Sequence, residues 1–167
     1  MQRSFKKEVT DEKVKKEMTN EFIDYYSKNI ANNSKVFDGL FKFLDWAKSK
    51  NISMAVCTNK QERLAIDLLK KLNLFNYFEY VAGSDTFNYN KPDPRHLTDV
   101  IEIIGGDLKK TIMVGDSEVD EMAATNAKLP FILVADGYTE KTIEQIKHDA
   151  LIKDYVGFDK IISKYLW

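Results

Sequence analysis

Two aspartates one helical turn apart, Asp116 and Asp120, close the stretch TIMVGDSEVD at residues 111–120. An apolar run ends there in Gly-Asp-Ser, so Asp116 stands where a strand gives way to a helix. A carboxylate in that position calls for compensation, and a hard cation supplies it: magnesium takes oxygen ligands, few from protein and several from water or phosphate. Asp120 has a second reading, because Ser117–Asp120 fits a capping box. Thr58, in VCTNKQ, offers a hydroxyl beside the free N–H groups of a helix start, an arrangement suited to an anion such as phosphate. Thr58–Gln61 equally matches a capping box. Lys91, in NYNKPDPRHL, precedes a proline and is thereby biased toward extended backbone. With Pro92 and Pro94 stiffening the loop, it is either a point charge held over a phosphoryl group or a solvated turn lysine.

These residues need elements to position them. Thr10 can cap a first helix whose apolar face is Val14, Met18, Phe22, Tyr25, Tyr26 and Ile30, ending near residues 32–34. From Val36 the pattern alternates. Helices are expected over 40–50, 61–72 and 94–104, the last with Asp93 as cap and Pro94 at its first position, and from Ser117 to about Ala127. Strands are expected at ISMAVC (52–57), FEYVAG (78–83), TIMVG (111–115) and FILVA (131–135). The tail reads as a short helix at 142–147, an apolar step at Leu151–Ile152 and a final helix at 158–166. Alternating strands and helices imply an α/β fold with a parallel sheet, which binds ligands beyond the carboxyl ends of its strands. Thr58, Lys91 and Asp116 all follow such ends.

Composition narrows the function classes. The 167 residues are 44% hydrophobic and 31% charged, enough for one packed domain with a small appendage. A net charge of -1 gives no electrostatic case for nucleic acid or a membrane surface. A single cysteine excludes an internal disulfide, no apolar run is long enough to span a membrane, and the N-terminus lacks a signal-peptide core, so a cytoplasmic location is expected. Cys57 reads as a packed thiol, and His96 and His148 as surface residues.

Taken together and in order, MAVCTNK, NKPDP and VGDSEVD resemble the second, third and fourth motifs of the haloacid dehalogenase-like (HAD) hydrolase superfamily, in its phosphoglycolate phosphatase-like branch. DGYT (136–139) resembles a Gly-Tyr turn of that family. The resemblance implies a Rossmann-like core at 35–167, with residues 1–34 a remnant of a helical cap. It implies a magnesium-dependent phosphomonoesterase acting on a small phosphorylated metabolite. Thr58 and the Asn59 backbone would hold the substrate phosphate, Lys91 would neutralise the transferring group, and Asp116 and Asp120 would hold magnesium.

One element of the family pattern is missing. Its Asp-x-Asp motif, which carries the nucleophile and the acid-base, occurs nowhere in the chain. The resemblance therefore implies an N-terminally truncated chain that is inactive alone, and a sheet without its central first strand, open as a groove beside Val56 and Val114. Such unpaired strands, or an exposed cap helix, would open a route to self-association. A non-catalytic remnant acting as a binding protein is the alternative, and a haloacid dehalogenase is another; the acidic GDSEVD favours a metal over the latter.

Overall fold

The computed structural model describes Val14, residues 35–135, Gly137, Thr139 and residues 141–166. Residues 35–167 form one compact unit and residues 1–34 another. The expected first helix lies outside the described residues, apart from Val14, which is helical.

The second unit alternates as its sequence pattern requires. Its helices are α1 (Leu40–Ser49), α2 (Glu62–Lys71), α3 (Arg95–Ile103), α4 (Glu118–Ala127) and α5 (Phe158–Leu166). Its strands are β1 (Ala55–Cys57), β2 (Tyr80–Ala82), β3 (Met113–Gly115), β4 (Phe131–Val134) and β5 (Ala150–Ile152). Every described strand pair is parallel. The two faces of β4 show how the layers form. Phe131 and Leu133 pack with Leu97 and Ile101 of α3 and Ala123 and Ala124 of α4. Ile132 and Val134 face the other way, onto Phe158 and Ile162 of α5 and Phe43 and Trp46 of α1. A period of two thus buries a strand on both sides between helical layers, as a doubly wound sheet demands.

The sheet is interrupted. β1 pairs with β2, and β3 with β4, which pairs with β5. Among the described residues nothing pairs with the other edge of β1 or β3. The edges left open are those of β1, which holds Val56, and of β3, which holds Val114. All four residues of β4 are buried, whereas every residue of β1 and of β3 is only half-buried.

Several local expectations change. Helix α2 begins at Glu62, one residue later than expected, and Thr58 does not cap it; its N-cap, Gln61, makes no side-chain cap. The Glu62 N–H is instead taken by Asp85 Oδ1 at 2.8 Å, a contact from the loop after β2. Pro94 is the N-cap of α3, and Asp93 accepts the Arg95 N–H at 3.0 Å from one residue further out. The expected helix at 142–147 is a single 3₁₀ turn, Ile143–Gln145. No described helix is long and apolar enough to cross a membrane.

Candidate active site

Parallel strands align their carboxyl ends, and the residues that follow β1 and β3 come together beyond those ends. A cleft of about 300 Å³ opens there, lined by Thr58, Asn59, Lys60, Lys91, Asp116, Ser117, Glu118, Val119 and Asp120. All five residues singled out from sequence meet in it.

Lys91 is the best-fixed of them. It is buried, and its ammonium lies 2.5 Å from Asp120 Oδ1, itself buried. Its carbonyl oxygen accepts the Asn59 side-chain N–H at 2.8 Å, and its own backbone N–H is donated to His96 Nδ1 at 3.3 Å. The loop is thus held at both ends of one residue, and the solvated-turn reading of Lys91 falls.

Asp120 joins two structures. Its second oxygen, Oδ2, accepts the backbone N–H groups of Asp116 and Ser117 at 3.1 and 3.2 Å and the Ser117 hydroxyl at 2.7 Å. Ser117 returns the bond as N-cap of α4, so the capping box is formed. Burial pushes the Asp120 carboxyl up, but the Lys91 ammonium, by charge and by hydrogen bond, and the donors of Ser117 and Asp116 carry it below the ordinary value. Three donors occupy Oδ2, and Oδ1 is shared with an ammonium. A cation bonded directly to Oδ1 would sit against Lys91, so a water-bridged role suits Asp120 better than direct ligation.

Asp116 follows β3 directly and lines the cleft. Its position depends on two close approaches. A Cβ on Gly137 would stand 2.3 Å from Asp116 Cβ, and one on Gly115 would stand 2.5 Å from Asp120 Cβ. Glycine is required at both places by contact with the aspartates themselves. Glu118 is tied down as well: the Thr139 hydroxyl donates to it at 2.6 Å, which holds its carboxyl below the usual range.

Thr58 continues β1 by donating its N–H to Ala82 O at 2.9 Å, and its hydroxyl oxygen accepts the Lys60 N–H at 3.1 Å. The hydroxyl proton remains available to an acceptor in the cleft. The Cys57 thiol donates to His96 O at 3.7 Å, and burial above all pushes it up to about 11, so at neutral pH it is a packed thiol. His96 is fully buried, contrary to the surface placement expected from its polar neighbours. The signal for burial lies in its spacing: His96 and Leu97, then Val100 and Ile101, form the inward stripe of α3. His148 is half-buried, with Nδ1 2.7 Å from Ile146 O.

The profile of the haloacid dehalogenase-like hydrolase family matches residues 1–134. The chain belongs to that family. Among curated relatives, phosphoglycolate phosphatase of Agrobacterium fabrum is 41% identical over 86% of this chain and 64% of its own, and that of Mesorhizobium japonicum is 37% identical over 80% and 59%. The chain thus spans about three fifths of these HAD-like relatives. A crystal structure of a predicted phosphoglycolate phosphatase from Haemophilus somnus superposes with a TM-score of 0.85 at 28% identity, covering 93% of this chain and 69% of that one. The split parallel sheet is therefore set in a HAD-like α/β fold.

Proposed function

We propose that residues 35–167 form the phosphate-binding and charge-neutralising part of a HAD-like phosphomonoesterase, with residues 1–34 the remnant of a helical cap. The observation that carries this reading is the convergence of Thr58, Asn59, Lys91, Asp116 and Asp120 on one cleft beyond the strand ends. The substrate class is a small phosphorylated metabolite; 2-phosphoglycolate is the first candidate, because the relatives bear that name.

Each residue then has a task. The Thr58 hydroxyl donates to a phosphate oxygen. Lys91, pre-paired with Asp120, presents a fixed ammonium to charge developing on the phosphoryl oxygens, with little reorganisation at the moment of reaction. Asn59 acts through its side chain by holding Lys91, a role added to the backbone contact read from sequence. The cleft fits magnesium in part. Its carboxylates are hard oxygen donors, and no group of three or more metal-ligating side chains occurs among the described residues. A cation that retains water and phosphate ligands suits such a sparse set. Asp116 would hold it directly and Asp120 through water. When bound, magnesium supplies neutralisation of phosphoryl charge and orients the substrate.

The reaction class is phosphoryl transfer to a carboxylate, with departure of the alcohol, then hydrolysis of the acyl phosphate. The 167 residues contain no Asp-x-Asp to serve as nucleophile and acid-base. The break between β1 and β3 is where an extended segment bearing that pair would pair on both edges. The test joins a strand ending in Asp-x-Asp to the chain and measures magnesium-dependent phosphate release from 2-phosphoglycolate. Turnover is expected from the fusion, none from the chain alone, and none from the fusion with Lys91→Ala. A folded fusion without turnover would favour a non-catalytic binding role. Asp116-dependent release by the chain alone would overturn the placement of the nucleophile.

A further inference from the structure

One histidine among the described residues is fully buried and lies outside the cleft lining. His96 is 0% exposed, on the inner face of α3. Its ring and that of Phe87 meet in a T-shaped contact (centroids 5.9 Å apart, planes at 82°). Its Nδ1 accepts the Lys91 backbone N–H at 3.3 Å. An imidazole nitrogen that accepts from an amide carries no proton, so the neutral ring has its proton on Nε2. Nε2 is buried with no partner at full hydrogen-bond geometry, and the Gly83 backbone is the group near enough to favour its proton.

From this geometry we infer that His96 is the positioning residue for Lys91: the bare Nδ1 of the neutral ring fixes the Lys91 backbone, and through it the ammonium at the cleft. The hold is complementary to that of Asn59. Asn59 fixes the Lys91 carbonyl from the β1 side, His96 fixes the N–H from α3, and Asp120 fixes the Nζ from α4. Three elements therefore converge on one residue. Protonation of Nδ1 would turn the acceptor into a donor facing a donor, and the Lys91 amide would lose its partner. The charged and titratable groups around the ring are Lys91, which opposes a second positive charge, Asp93 and Asp99, which favour it, and the neutral Cys57 thiol on the His96 carbonyl. Burial and Lys91 outweigh the Gly83 backbone and the two aspartates, and hold the ring's protonation below the ordinary histidine value.

The positioning role rests on the phosphoryl-binding reading only in its last readout. In ¹⁵N-labelled full chain, the Lys91 amide should show a through-bond coupling to His96 Nδ1, with Nε2 the protonated nitrogen. On acidification the Lys91 amide signal should shift in step with ring protonation. His96→Asn offers a carboxamide oxygen near the Nδ1 position and should keep the amide shift, whereas His96→Leu, which fills the pocket, should lose it. Inorganic phosphate affinity should fall about fivefold in His96→Leu and recover in His96→Asn. A protonated Nδ1 in the wild-type chain at neutral pH, or a Lys91 amide unchanged in His96→Leu, would overturn the proposal. If the wild-type chain binds no phosphate while the coupling is present, the phosphate-site reading fails and the positioning role is upheld by the coupling.

Discussion

Lys91 Nζ and Asp120 Oδ1 lie 2.5 Å apart at side-chain exposures of 8% and 6%. This ion pair joins the loop after β2 to the first turn of α4. Its two members are not equally dependent on each other. Asp120 has three further donors, from Asp116 and Ser117. The Lys91 ammonium has Asp120.

That asymmetry gives a stability prediction. Asp120→Asn leaves a buried ammonium without its carboxylate and should cost about 3–5 kcal/mol. Lys91→Met leaves a carboxylate that still accepts three hydrogen bonds, and should cost less. Urea unfolding of the two variants checks the order. A Lys91→Met chain less stable than Asp120→Asn would mean that the lysine stem, and not the charge pair, holds the loop.

Of the groups with lowered folded-state values, two are buried, Asp120 and His96, and the pH dependence is expected chiefly from them. Asp120 lies below the ordinary carboxylate value, so its contribution is present above that value and is lost as pH falls through the folded one. His96 is lowered too, so its contribution is present above the ordinary histidine value of about 6.5 and is lost as pH falls below it. Stability should therefore decline in two acid limbs. Denaturation midpoints measured in steps between neutral and acid pH should show the upper limb vanish in His96→Asn and the lower limb shrink in Asp120→Asn. An upper limb that survives His96→Asn would assign it to another group.

The interrupted sheet predicts uneven protection. β4 is paired on both edges, whereas β1 and β3 are each paired on one. Unpaired strand edges exchange their amides through smaller openings and invite pairing with other chains. Native-state hydrogen exchange should find Ile132–Val134 the most protected strand amides, and those of Ala55–Cys57 and Met113–Gly115 markedly less so. Light scattering should show size rising with protein concentration. Protection of β1 equal to that of β4, in a monomer at all concentrations, would mean that the two edges close on each other in solution.

The fold was legible where periodicity was strong. Strands with apolar residues at every position, such as FILV at 131–134, and the amphipathic spacing of α3 and α5 left little choice of element. What escaped sequence reading was set by distant contacts. Thr58 matches a cap locally, but the first N–H of α2 is taken by Asp85, 23 residues away. The Asn59 side chain reaches the Lys91 carbonyl across 32 residues, which no local pattern encodes. His96 was hidden by Arg95 and Thr98 beside it, although its stripe with Val100 was there to be read. Ser117 and Asp120 were legible because their capping box is local, and Asp116 because a strand's end fixed its place.

The most direct test of the account is a titration of the ¹⁵N-labelled chain with inorganic phosphate in the presence of magnesium. The account predicts saturable amide shifts centred on Thr58, Asn59, Lys91 and Asp116, weakened by at least tenfold in Lys91→Ala, where the fixed positive charge is lost. Shifts scattered over the surface, or centred on the cleft but unchanged in Lys91→Ala, would contradict it.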